Sequence, residues 1–128
     1  MSTFSRPISL HYLIELFDLS FDLLTDIEKI RQLSLEFLDR SSLIVVKQCG
    51  LKFEPQGITL VFILSSSHLV VHTWPENKYL HMDIMRCDLS DNHCDFDLVY
   101  ENICEIFGTS KVVITPISDC MSKISIKA

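Results

Sequence analysis

The densest concentration of reactive side chains is the run Ser65-Ser66-Ser67-His68-Leu69-Val70-Val71-His72-Thr73-Trp74-Pro75-Glu76, with Cys87 following it. Serine, histidine and cysteine are the types that attack carbonyls and move protons, so acyl chemistry, metal binding and proton transfer all need weighing. A nucleophile-elbow hydrolase is disfavoured, because Ser67 follows no glycine and the G-x-S-x-G pattern is absent. His68 and His72 are spaced like metal ligands on a helix, but this stretch reads as strand. There the same spacing separates two side chains by roughly 13 Å, too far for one ion without a bend. Residue by residue, the stretch also fits a serine-rich turn between two core strands, with His72 and Trp74 half buried.

The five cysteines, Cys49, Cys87, Cys94, Cys104 and Cys120, are odd in number and form no C-x-x-C pair. Neither a zinc site nor a redox pair is therefore encoded, and Cys87 with His93 and Cys94 in one loop is too thin a set for a metal. The expectation is no metal and free thiols in a reducing, cytoplasmic setting. A net charge of −6 argues against a nucleic-acid partner, which would call for a basic footprint. No secretory pattern opens the chain, and its longest apolar run, near Ile58 to Leu64, is too short to span a bilayer, so no membrane partner is expected. The length of 128 residues fits a single domain, 1–128, with one core.

The elements that must position these groups can be read from periodicity. Leu10, Tyr12, Ile14 and Leu16 alternate along a first strand. Thr25-Asp26-Ile27-Glu28 reads as a capping box opening a helix whose apolar face is Ile27, Ile30, Leu33 and Phe37. A strand begins over Leu43 to Val46, and three more run over Ile58 to Leu64, Leu69 to Trp74 and Tyr79 to Met85. A second helix starts near Asp95 and Asp97, buries Phe96, Val99, Ile103 and Ile106, and ends at Gly108. Val112 to Ile114 form a short last strand before Pro116. Short connections favour antiparallel pairing with both helices on one face, so the expected fold is α/β of the α+β type, a two-layer sandwich. Its other sheet face would keep apolar residues, and a second copy of the chain is the simplest cover.

Ser67-His68, then His72-Thr73-Trp74-Pro75-Glu76, then Asp83 and Cys87, resembles the central signature of bacterial and archaeal S-adenosylmethionine decarboxylases. Phe53-Glu54-Pro55-Gln56-Gly57-Ile58-Thr59 matches an upstream segment of that family at the right offset. The stretch His11 to Leu16, with Glu15, resembles its first strand. The resemblance runs over about residues 9–116.

It implies a pyruvoyl enzyme made by self-cleavage between Ser66 and Ser67, giving a β chain of residues 1–66 and an α chain of residues 67–128. Ser67 would become the covalent pyruvoyl group, whose carbonyl forms a Schiff base with the substrate amine and takes up the electrons released with CO₂. His72 would accept the serine α-proton during processing, and Thr59 would supply a processing hydroxyl. Cys87 would be the proton donor; a thiol with a pKa near 8.5 can serve at neutral pH. Phe53 and Glu76 match positions that stack on adenine and hold ribose hydroxyls, and Trp74 would wall the pocket. The implied function is decarboxylation of S-adenosylmethionine for spermidine and polyamine synthesis. Eight residues separate Thr59 from Ser67, or roughly 26 Å along one continuous strand. The two would then meet only across a homodimer in which one copy supplies Ser67 and Cys87 and the other Thr59 and His72.

Departures from the family pattern leave two alternatives. Ser66 stands where glutamate is usual, Leu51 where histidine is common, Leu80 and His81 where two small residues stand, and Arg86 and Asp88 flank Cys87. A pyruvoyl decarboxylase acting on ornithine or arginine would use Glu54 and Asp88 as extra acids. An uncleaved, non-catalytic paralogue acting as a binding or regulatory subunit would rest on Ser66 and Leu51.

Overall fold

The computed structural model describes residues 2–5, 9–87, 95–118 and 123–126. In chain order the elements are β1 (Ser2–Ser5), β2 (Leu10–Leu16), α1 (Phe21–Leu24), α2 (Ile27–Arg40), β3 (Val45–Lys52), β4 (Ile58–Leu64), β5 (His68–Trp74), β6 (Tyr79–Arg86), α3 (Phe96–Phe107), β7 (Val112–Ser118) and β8 (Lys123–Ile126). A six-stranded sheet runs in the order β3-β4-β5-β6-β2-β7, every neighbouring pair antiparallel, and β1 pairs separately with β8. The α+β sandwich expected from periodicity is the observed fold.

Strict alternation decides which residues face the helices. Leu10, Tyr12, Ile14 and Leu16 of β2, Ile58, Leu60, Phe62 and Leu64 of β4, Leu69 and Val71 of β5, and Leu80, Met82 and Ile84 of β6 are all buried. They meet Ile30, Phe37 and Leu38 of α2 and Val99, Ile103 and Phe107 of α3 in one core. Burying each large side chain of this kind contributes roughly 1.5–3 kcal/mol, so the helix-facing layer is what holds the sheet flat against α2 and α3. At the β3 edge, α2 comes close enough that a Cβ on Gly50 would lie 3.3 Å from the Ile27 Cδ1 and 2.5 Å from the Leu60 Cδ2. A side chain at position 50 would therefore have to displace the buried end of Leu60.

Two local expectations are corrected. The cap of α2 is Asp26, whose carboxylate accepts from the Lys29 N–H at 3.1 Å. Thr25 instead closes the short helix α1, donating its hydroxyl to the Phe21 carbonyl at 3.0 Å. The strand expected to end the chain continues as β7 through Pro116 to Ser118 and is followed by β8; proline is tolerated because β7 is an edge strand and the missing N–H need not serve a second neighbour. The open face of the sheet keeps apolar residues, as expected, Leu51, Trp74, Met85 and Val113 among them. Val61, Ile63, Val70 and Leu13 share it with Thr59, His68, His72, Tyr79, His81, Asp83, His11 and Glu15, which alternate with the core residues.

Candidate functional site

Thr73 fixes the geometry of the His-Thr-Trp run. Its buried hydroxyl donates to the Leu24 carbonyl at 2.9 Å and accepts from the Ile58 N–H at 3.1 Å, tying α1, β4 and β5 together. With Thr73 pinned on the helix side, alternation turns His72 and Trp74 onto the open face. Register sets His72 directly opposite Thr59 on β4 and His81 on β6. The Thr59 Oγ1 and the His72 Nδ1 form a hydrogen bond. Burial, and then the neighbouring His81, hold the His72 imidazole below its ordinary pKa, so it is neutral at neutral pH and able to accept a proton.

Aromatic rings surround that imidazole. The Trp74 ring centroid lies 4.2 Å from His72 and the Phe53 centroid 5.9 Å. Phe53 is carried on the loop after β3, closed by a bond from its own N–H to the Gly57 carbonyl at 2.8 Å. Gly57 adopts φ +112°, a conformation that side chains disfavour, and so allows this close turn beneath Phe53. Glu76 follows on a 3₁₀ turn, Pro75–Asn77, and remains exposed. Phe53, Gln56, Gly57, His72, Trp74 and Glu76 line a pocket of about 220 Å³. Small-molecule sites typically hold roughly 300–1,000 Å³, so this pocket is the size of one wall.

Ser67 and Cys87 lie at the other end of the sheet. Ser65, Ser66 and Ser67 form the turn between β4 and β5, with the Ser67 carbonyl accepting from the Leu64 N–H at 2.9 Å. The 66–67 peptide lies outside the strand ladders, which begin at the pair Ile63 and His68. His68 is level with Met85 on β6, so half-buried Cys87, two residues past Met85, ends at the same edge as Ser67. The eight-residue separation of Thr59 and Ser67 does not run along one strand, because the chain reverses at the turn. Thr59 lies level with His72, five residues along β5 from Ser67, or roughly 16 Å at about 3.3 Å per residue. The corrected figure is shorter than 26 Å but still far beyond contact. One chain thus carries two separate groups: Ser67 with Cys87, and Thr59 with His72, Phe53, Trp74 and Glu76.

A family model described as S-adenosylmethionine decarboxylase matches residues 10–118. The chain belongs to the S-adenosylmethionine decarboxylase family. Two curated relatives, both called S-adenosylmethionine decarboxylase proenzyme, illustrate the likeness. That of Moorella thermoacetica is 35% identical over 82 residues, which is 64% of this chain and 66% of the relative. That of Pyrococcus horikoshii is 36% identical over 77 residues, 60% of this chain and 55% of the relative. The match therefore spans somewhat under two thirds of the relatives' own length. A crystal structure of the adenosylmethionine decarboxylase from Aquifex aeolicus superimposes with a TM-score of 0.69 over 88% of this chain and 90% of that one. At 24% identity, that likeness concerns the fold alone.

This member of the S-adenosylmethionine decarboxylase family also carries polar groups on the open face that periodicity did not single out. The Tyr79 hydroxyl donates to the Glu15 Oε2 at 2.7 Å, and burial together with Glu15 pushes the phenol well above its ordinary pKa. His11 and His68 both reach the Asp83 Oδ1, at 2.9 and 3.3 Å. Alternation could have placed each of these on the open face, but only the register brings them together. Among the described residues no group of three or more His, Cys, Asp and Glu is arranged to hold a metal ion. No helix among them is long and apolar enough to cross a membrane. Asp88, His93, Cys94 and Cys120 lie outside the described residues.

Proposed function

We propose that the chain is a pyruvoyl-dependent S-adenosylmethionine decarboxylase that matures by self-cleavage and works as a homodimer. The observation that carries this reading is the separation of the two groups. A serine in an exposed turn and a cysteine beside it stand apart from a neutral, hydrogen-bonded histidine in an aromatic pocket. Each group by itself is half a site.

The donor set fits formation of the pyruvoyl group. The Ser67 hydroxyl attacks the Ser66 carbonyl carbon, and the amide nitrogen leaves that carbon to give an ester. His72 of the other copy takes the Ser67 α-proton, and the Ser66 carboxylate departs from the Ser67 β-carbon. Water then replaces the nitrogen of residue 67 with a keto oxygen, and ammonia leaves. The keto group supplies an electron sink for loss of CO₂ from an amino acid. Cys87, at the same end of the sheet as residue 67, returns a proton to the substrate carbon in this reading. Phe53 and Trp74 offer faces for an adenine, and the Glu76 carboxylate offers acceptors for ribose hydroxyls.

Denaturing mass spectrometry of the purified protein tests the reading first. Two chains of 66 and 62 residues are expected, the second with a blocked amino terminus and releasing CO₂ from S-adenosylmethionine. A chain that stays whole after long incubation refutes it.

The depressed pKa of His72 gives a second expectation. Only the neutral imidazole accepts the α-proton, and its folded pKa is below the ordinary value of about 6.5. The splitting rate should therefore be flat from about pH 8 to 6.5 and fall only at lower pH. A rate that keeps rising tenfold per pH unit above 6.5 would remove His72 from that role. By linkage, His72 binds protons more readily in the unfolded chain. Its contribution to stability is therefore complete above pH about 6.5 and is lost as pH falls through the folded value.

A further inference from the structure

His68 is the first residue of β5 and directly follows Ser67. Its ring Nε2 lies 3.3 Å from the Asp83 Oδ1 on β6, and the same oxygen lies 2.9 Å from the His11 Nε2 on β2. The two imidazoles stand edge to face, with centroids 6.4 Å apart. A single carboxylate oxygen thus links three adjacent strands, β5, β6 and β2, on the open face. Hydrogen bonds to a carboxylate are roughly twice as strong as those between neutral groups.

The link is redundant for the intact sheet. β5 and β6 already pair from His68 to Trp74, and β2 and β6 from Leu10 to Leu16. It ceases to be redundant once the 66–67 bond is broken, because residue 67 then becomes a chain end. New chain ends fray unless something ties them down. We propose that Asp83, by bridging His11 and His68, is a positioning residue that anchors the new chain start after cleavage. This inference rests on the self-cleavage reading. Holding residue 67 beside Cys87 keeps the reacting group in place, and a displacement of about 1 Å can cost about a hundredfold in rate.

The test compares Asp83→Ala, His68→Ala and His68→Gln with the wild type. The extent of splitting, kcat and KM for S-adenosylmethionine, and amide hydrogen exchange over residues 67–70 are measured for each. Exchange is also measured with each substitution placed in an uncleavable Ser67→Ala chain. Asp83→Ala and His68→Ala should split to the wild-type extent, with kcat down about 10- to 100-fold and KM within about twofold. Exchange over 67–70 should rise in the cleaved forms and stay unchanged in the uncleavable ones. His68→Gln keeps an N–H that can reach Asp83 and should recover most of the kcat. An unchanged kcat in Asp83→Ala overturns the proposal. So does exchange that rises equally in the uncleavable chain, or an uncleavable Asp83→Ala chain that unfolds, since either makes the link an ordinary fold contact. Failure of Asp83→Ala to split also overturns it, by moving Asp83 into processing. A wild-type chain that never splits overturns the self-cleavage reading as well.

Discussion

Ser67→Ala should leave the protein as one 128-residue chain with no blocked amino terminus and no decarboxylation above background. The hydroxyl of residue 67 is the only part of the proposed reaction that no neighbour can replace. Without it no ester forms, no carboxylate leaves the β-carbon, and no keto group arises. Ser66→Ala should split as the wild type does, because residue 66 contributes only its backbone carbonyl. The contrast matters in a turn of three consecutive serines, where side-chain type alone does not single out the attacking group. Ser65 is already engaged through its backbone, its N–H donating to the Ile44 carbonyl at 3.1 Å, while the 66–67 peptide lies outside the ladder. The check is the intact mass of each variant after incubation, followed by CO₂ release. Splitting of Ser67→Ala, or an intact Ser66→Ala, would assign the break to another bond.

The two-layer fold was legible because alternation and helical period are local signals. Leu10, Tyr12, Ile14 and Leu16 announce one buried face within seven residues, and Ile30 and Phe37 do so within two turns of α2. Pro116 misled because proline argues against a strand only where both backbone edges are used, and sequence does not say which strand lies at an edge. Side-chain identity made the two groups of the candidate site recognisable, but not their distance. That distance depends on where the chain turns. A continuous strand would carry Thr59 far from Ser67, whereas the reversal at Ser65 to Ser67 halves part of the path and leaves Thr59 level with His72. The His11–Asp83–His68 link was invisible for the same reason. Its members come from three strands, and a shift of one residue in any register would turn a side chain to the other face.

Co-expression of His72→Ala with Cys87→Ala should restore activity that neither variant has alone. Each single substitution removes a proton-transfer group, and losses of about 10²–10⁴-fold are expected for such groups. If both groups served the same site from one chain, mixing the variants would produce nothing new. In the proposed dimer, Ser67 and Cys87 of the His72→Ala chain meet Thr59 and His72 of the Cys87→Ala chain, and that site is complete. The second site of the same dimer lacks both groups. Random pairing makes about half of the dimers mixed, each with one good site of two, so activity should reach about a quarter of the wild type under twofold symmetry. The masses carry an independent signature: in isolated mixed dimers the His72→Ala chain should be split and the Cys87→Ala chain whole. The proenzymes must be made together, because processing requires the partner's imidazole before either chain matures. Activity equal to the sum of the two parents would confine each site to one chain. Such a site would have to close roughly 16 Å between Ser67, in the turn that opens β5, and His72 on that strand. A paired strand cannot shorten that distance without losing the ladder on both sides of β5.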